Sequence, residues 1–361
     1  MRRILHSEVD EEMRPLLTDL TKEELSALPV ICDLPKYRVG QIYKWLMNGT
    51  RFDGMTDIPA ALRTELSEKY SDIGARIIKT AESKDGTKKF LYELYDGALV
   101  EGVLMKYKYG RTLCVSTQVG CRMGCAFCAS GRNGLERDLS AGEMLSELLC
   151  ANASLKDEKV GNVVLMGSGE PLDNYENVTR FIRLMSEAGL VGQRSVSLST
   201  CGLTDKIRQL GDDGFSVTLC LSLHSPFDDI RARIMPSARK YKVAEIVSAA
   251  KYYFGKSGRR VIVEYAMMRG VNTREEDARE LRRLTKNFPC HINLIPLNDT
   301  HSGLPGVTAK EGREFLNRLT ELGASATIRR SLGEDIEGAC GQLKRRYIEN
   351  VKKDTEDNHG C

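Results

Sequence analysis

Apolar residues in YRVGQIYKWLM recur every three or four positions, at Val39, Ile42, Tyr43, Leu46 and Met47, and this spacing predicts a helix. IPAALRTELSEKY predicts a second helix, with Pro59 near its start and Leu62 and Leu66 on one face. Residues 1–83 therefore read as a small helical unit. Near residue 84 the period changes to two. KKFLYELYDGALVEGVLM alternates about Asp96-Gly97, a strong hairpin signal, so 84–110 reads as a hairpin linker. From about 111 to 333, β-rich runs alternate with helical ones. The strands are TLCVSTQV, GNVVLMGS, RSVSLST, SVTLCLSLH, RVIVEYAMM and HINLIPL. One helix starts at Ser140, whose Ser-x-x-Glu pattern with Glu143 is a capping box; others lie near 175–189, 242–254, 274–286 and 309–322. Six β–α units in series predict an α/β fold with a parallel sheet and an active site at the C-terminal ends of its strands. Six units are too few to close an eight-stranded barrel, so an open or partial barrel is expected. Residues 334–361 follow as a loop and a polar tail, VKKDTEDNHGC, expected to fray.

Composition narrows the class. Of the 361 residues 41% are hydrophobic and 29% charged, as in an ordinary soluble globular protein. No apolar run approaches the roughly 18 residues a membrane span needs. The start, MRRILHSEVDEE, has two arginines but no apolar stretch, so it does not read as a secretory signal, and a cytoplasmic location is expected. The net charge of +3 neither demands nor excludes nucleic acid, and any basic surface must be local.

Eleven cysteines change the picture more. Their odd number excludes a fully paired disulfide framework, and clustered cysteines in a reducing compartment bind metal or do chemistry. Cys121, Cys125 and Cys128 stand together in VGCRMGCAFCASG, spaced C-x3-C-x2-C, directly after the first strand of the β/α series. Gly120, Gly124 and Gly131 let the backbone curl there. A structural zinc wants four closed ligands, and no second pair stands at knuckle spacing. An electron-transfer [4Fe–4S] cluster usually has four thiolates, whereas three leave one iron open for a substrate or cofactor. A zinc site or plain buried thiols remain the alternatives.

With Phe127 before the third cysteine, the motif resembles the hallmark of the radical S-adenosylmethionine (SAM) superfamily, whose partial (β/α)6 barrel matches the six units. TLCVSTQVGCRMGCAFCASG, VVLMGSGEPLDNY, VSLSTCGL, LSLHSP, INLIPLN and DIEGACGQL, with YRVGQIYKWL and MTDIPAALRTEL near the start, resemble the RlmN family over nearly the whole chain. The resemblance implies a [4Fe–4S] cluster on Cys121, Cys125 and Cys128, with SAM chelated to the open iron. It also implies methylation of carbon 2 of an adenosine in 23S rRNA, at the peptidyl transferase centre, and of the adenosine 3′ of the anticodon in some tRNAs. The resemblance further implies that two SAM molecules are consumed per turnover.

Carbon 2 of adenine lies between two nitrogens and is electron-poor, so transfer of an electrophilic methyl fails there and a radical route avoids the mismatch. The resemblance implies that Cys340, in EGACGQL between Gly338 and Gly341, carries the methyl group. It implies that Cys114 resolves the resulting protein–RNA adduct by forming a disulfide, and that Glu101 accepts the adduct's proton. Without the resemblance, both cysteines read as small buried hydrophobes and Glu101 as a strand residue of either face. GSGEPL lacks the final glycine of a dinucleotide-binding turn. It resembles the motif that meets the SAM amino group, and Gly169 and Glu170 carry over. Ser199, Ser222, Leu223, His224 and Asn298 match further SAM-contacting positions, each with a bland alternative as a satisfied strand end.

Cys32, Cys150, Cys201, Cys220 and Cys290 read as inert thiols, Cys361 has no role, Met166, Met267 and Met268 read as core, and His291 and His301 as structural or surface. Local basic groups for RNA are Arg132, Arg137, Arg231, Arg233, Arg259-Arg260, Arg329-Arg330 and Lys344-Arg345-Arg346, though a basic pair is more often a solvated face. The resemblance implies that the helical N-terminal unit holds folded RNA and that a flavodoxin or ferredoxin delivers electrons; a monomer is expected, though the sequence does not read out oligomeric state. Two other functions compete: the sister Cfr family, which methylates carbon 8 and commonly has Ala where this chain has Pro171, and a zinc-stabilised RNA-binding module without catalysis.

Overall fold

The computed structural model describes residues 14–132, 134–297, 303–330 and 332–336. Cys340, Asn298, His301, Cys361 and the Lys344–Arg346 run lie outside them.

Three helices come first: α1 (Lys22–Ser26), α2 (Lys36–Met47) and α3 (Ala60–Lys69). The α2 helix buries Val39, Ile42, Leu46 and Met47, the expected stripe, and α3 buries Leu66. The helical reading of 1–83 needs one correction: β1 (Ala75–Glu82) is a strand. It lies at the sheet's edge, where ARIIKTAE keeps charges on a half-solvated surface and blurs the period of two. β2 (Lys88–Leu94) and β3 (Leu99–Tyr107) form the expected hairpin, Tyr92 opposite Val100, with Gly97 at φ 80° and the Asp96 carboxylate accepting from the Ala98 N–H.

β4 (Gly110–Cys114) pairs antiparallel with β3 on one side and parallel with β7 (Val160–Leu165) on the other. The run read as one strand, TLCVSTQV, is divided. The β4 strand ends at Cys114, the next residues keep backbone bonds to β7 and the loop after it, and β5 (Gln118–Gly120) pairs instead with β6 (Leu135–Asp138). The β/α alternation then runs α4 (Ala141–Ala153), β7, α5 (Tyr175–Glu187), β8 (Val196–Thr200), α6 (Thr204–Asp212), β9 (Thr218–Ser222), α7 (Asp228–Ile234) and α8 (Val243–Ser257). It continues through β10 (Val261–Met267), α9 (Glu275–Thr285), β11 (Cys290–Pro296), α10 (Ala309–Glu321) and β12 (Ala326–Ile328). The sheet order is β1-β2-β3-β4-β7-β8-β9-β10-β11-β12, ten strands in an open row and parallel from β4 onward. The short β12 had no signal of its own.

Because side chains alternate along a strand, register assigns the two faces. One face is apolar and meets the helices: Tyr265 stacks on Phe315 of α10, and the Tyr92 hydroxyl donates to the Glu147 carbonyl of α4. The other face carries Lys89, Val103 and Cys114 in one cross-strand row, and Ser222, Glu264, Asn293 and Thr327 in another.

Candidate active site

The cysteine loop, between β5 and β6, is built around its glycines. Gly120 has φ 81°, and a Cβ there would fall 2.1 Å from the Gly134 carbonyl oxygen, so only glycine lets the two limbs of the loop close. Across that closure the Cys121 N–H donates to Gly134 O, and within the turn the Cys128 N–H donates to Cys125 O. Cys121 is buried and Cys125 and Cys128 are half-buried. Burial pushes the Cys121 thiol up to about 11 and the Cys125 thiol to about 12, and both also feel the Cys128 sulfur. The three sulfurs therefore share one neighbourhood, and a positive centre is needed to hold them as thiolates.

The Gly167–Leu172 loop is laced to the segment after β4. The Thr117 and Gln118 N–H groups donate to Ser168 O, and the Glu170 N–H donates to the Gln118 amide oxygen. Gly169 sits at φ 111°, and a Cβ there would meet Thr117 Oγ1 at 2.5 Å. The Glu170 carboxylate accepts from the Leu172 and Cys201 N–H groups, tying the ends of β7 and β8 together. Burial holds its pKa above the ordinary carboxylate range. Glu170 thus spends its oxygens on the fold.

At the ends of β8 and β9, Ser199 Oγ and Ser222 Oγ are 3.1 Å apart. Leu223 turns its side chain into the core. His224 takes φ 56°, rare outside glycine, and is held there by two bonds. Its carbonyl accepts from Asn272 Nδ2 at 2.7 Å, and its Nδ1 accepts from the Ala266 N–H at 3.0 Å. The remaining nitrogen, Nε2, carries the proton. Burial, then the Arg231 charge, depresses the imidazole to about 3, so it stays neutral. Its ring meets Phe127 edge-on at 4.8 Å.

Glu101 and Cys114 come to the same face of the sheet. Val103 lies opposite Cys114, and Glu101 is two residues from Val103 along β3. Both are buried, and Glu101 pairs with the fully buried Lys89 at 3.3 Å. The Ser116 hydroxyl donates to the Glu101 carbonyl, linking this strand to the start of the cysteine loop.

Three residues were misread or missed. Arg231 was grouped with surface bases, but it is fully buried. Its Nε donates to Leu223 O, and one Nη donates to Cys201 O and Ser222 O. Arg137 was a further surface candidate, yet it forks onto Glu143 at 2.8 Å and also pairs with Asp96. A short helix bearing Arg at two alternate positions reads as solvated, and nothing local marks which one turns inward. Asn272, which positions His224, stands in a turn, Val271-Asn272-Thr273, with no motif to announce it.

These residues fit an anionic iron–sulfur group. The thiols are gathered on a glycine-curled loop, and the second Nη of Arg231 has no partner among the described residues. No three His, Cys, Asp or Glu side chains among the described residues converge as one ion would require. A four-iron cube holds each thiolate on a different iron and so spreads its ligands.

The radical SAM superfamily model matches residues 115–282, and the "Ribosomal RNA large subunit methyltransferase N-terminal domain" model matches 16–71. A protein of Clostridium perfringens named "Probable dual-specificity RNA methyltransferase RlmN" is 47% identical over 340 residues, covering 92% of this chain and 98% of that one. Its namesake in Clostridium novyi is 44% identical over 321 residues, covering 87% and 93%. The crystal structure of a radical SAM methyltransferase from Sphaerobacter thermophilus superposes with a TM-score of 0.87 at 38% identity, covering 91% of this chain and 98% of that one. Radical SAM enzymes bind a [4Fe–4S] cluster and SAM. With the fold, the cysteine loop and these relatives in agreement, the chain belongs to the RlmN family of radical SAM RNA methyltransferases.

Proposed function

We propose that this chain adds a methyl group to carbon 2 of one adenosine in 23S rRNA and of the adenosine 3′ of the anticodon in tRNA. The observation that carries the reading is the placement of Glu101 and Cys114, buried on one face of the sheet beside the root of the Cys121–Cys128 loop. The relatives' name, with its dual specificity, points the same way.

Cys121, Cys125 and Cys128 hold the cluster, and Gly169, Glu170, Ser199, Ser222, Leu223, His224 and Asn298 surround SAM. When bound, these groups supply an electron, a methyl group and a 5′-deoxyadenosyl radical. Cys340 carries the methyl on its sulfur; after that methyl gives up one hydrogen atom to the 5′-deoxyadenosyl radical, its carbon would join C2, and the adduct's surplus electron would return to the cluster. Glu101 takes the C2 proton while the electron pair stays in the ring. Cys114 then attacks the Cys340 sulfur. The S–C bond breaks, the S–S bond forms, and the released carbon takes a proton to become the methyl. Lys89 holds the Glu101 carboxylate within the buried layer.

Residues 1–83 serve as the RNA-holding unit, 84–110 as a connector, 111–333 as the SAM core and 334–361 as the carrier of Cys340. Extruding the target base from folded RNA costs a few kcal/mol, which contacts of the N-terminal unit offset. A flavodoxin or ferredoxin supplies the electron, in the cytoplasm, to a monomeric enzyme. No helix among the described residues is long and apolar enough to cross a membrane.

The test is anaerobic reconstitution with SAM, a reductant and separate rRNA and tRNA, followed by nucleoside mass analysis. 2-Methyladenosine is expected from wild type and none from Cys340→Ala, which should still cleave SAM. Appearance of 8-methyladenosine would replace this reading by the carbon-8 reaction. Colourless protein without iron would replace it by a zinc-bound RNA module.

A further inference from the structure

A buried charge needs an opposite charge close by, and Arg231 makes no ion pair among the described residues, with Asp228 and Glu170 acting on it only at longer range. Its side chain is fully buried, and a guanidinium stays protonated in proteins. Three of its contacts are neutral carbonyls at the ends of β8 and β9: Leu223 O, Cys201 O and Ser222 O. The remaining Nη, buried too, has no partner among the described residues. The nearby carboxylates are committed elsewhere. Glu170 accepts from Leu172 and Cys201, and Asp228 accepts from the Val243 N–H at 2.8 Å. No ion pair to Arg231 within 4.0 Å occurs among the described residues. A lone buried cation costs several kcal/mol, and folds keep one only where an anion offsets it.

The position of Arg231 says which anion. It lies on α7, whose last residue, Ile234, accepts the Ala126 N–H from within the cysteine loop. Ile234 and Met235 pack with Met123, Cys125 and Phe127 of that loop. The charge is felt at Cys125 and at His224, which touches Phe127. Three thiolates on a [4Fe–4S] cluster leave it net negative, and reduction adds a further negative charge.

We propose that Arg231 is the built-in counter-cation of the iron–sulfur cluster, a positioning residue that ties the β8 and β9 ends behind the cysteine loop and raises the cluster's reduction potential. The step it governs is the uptake of one electron from a low-potential donor. No bond in the protein forms or breaks. Positive charge in a low-dielectric site favours the more negative, reduced state. The inference rests on the family assignment alone and is independent of which carbon or which RNA is methylated.

EPR-monitored redox titration of anaerobic, cluster-loaded enzyme without RNA tests it. Arg231→Gln and Arg231→Met are expected to shift the midpoint to more negative potential. Arg231→Lys, which keeps the charge and loses the fork, should retain most of the wild-type value. Neutral variants that bind iron and titrate at the wild-type potential overturn the proposal, as does a lysine variant shifted as far as the neutral ones. Should the neutral variants not fold, wild-type enzyme grown with ¹⁵N-arginine carries the test through pulsed EPR of the reduced cluster. A ¹⁵N coupling that disappears in Arg231→Lys supports it, and absence of any such coupling in wild type overturns it.

Discussion

The carboxyl of Glu147 is enclosed between α4 and the sheet, where one oxygen accepts the Ser116 N–H and the other meets no partner among the described residues. Burial raises its pKa well above 4.5. The folded chain keeps this proton at pH values where the unfolded chain has released it, so stability falls as pH rises above about 4.5. Glu147→Gln retains an acceptor for Ser116 and has no proton to lose. It is expected to be more stable than wild type at about pH 8, by about 1.4 kcal/mol for each unit by which the pKa is raised. The advantage should vanish toward pH 4.5, and urea midpoints at the two ends of that range check it. Residue identity rarely announces such burial. Glu143 and Glu147 lie one turn apart on α4, and both are enclosed, one forked onto Arg137 and the other pushed by burial toward its protonated form.

Helix starts were legible because capping is local. Ser140 Oγ accepts from the Glu143 N–H at 3.1 Å, and the Glu143 carboxylate accepts from the Ser140 N–H at 2.9 Å, as Ser-x-x-Glu foretold. Ser140→Ala is expected to cost about 1 kcal/mol, read as a lower urea midpoint with an unchanged slope. The amphipathic helices and the β2–β3 hairpin were equally readable, since each buries one face against the rest of the chain. Strand ends were less so. The break in TLCVSTQV comes from a change of partner after Cys114, and β12 is three residues that take shape only beside β11.

The N-terminal helices and the sheet share one interior. Leu17, Ile42, Leu46 and Leu66 belong to the same continuous apolar cluster as Leu113, Leu145, Leu198 and Val261. Polar contacts reinforce the junction: the Gly142 N–H at the start of α4 donates to the Asp19 carboxylate, and Arg180 of α5 donates to the Asp19 carbonyl. A shared core unfolds as one unit, so calorimetry of the intact chain is expected to show a single transition across both regions. Two separated transitions would mean that the helical part is an independent body.

Local patterns were enough for much of this molecule. Periods of 3.6 and 2, a capping box and a hairpin turn depend on neighbours within a few residues, and so they pointed to seven of the ten helices and to six of the parallel strands, but not to α1, α6 or α7. The C-x3-C-x2-C spacing named a loop for the same reason. Which polar side chains turn inward depends on contacts between elements, set by strand register and by how the helices pack against the sheet. Register across β2, β3 and β4 put Lys89 beside Glu101 and aligned Glu101 with Cys114, and the packing of α7 buried Arg231 beneath the cysteine loop. Local propensity is blind to such choices, because the free energy that settles them resides in contacts and desolvation formed only when distant segments meet.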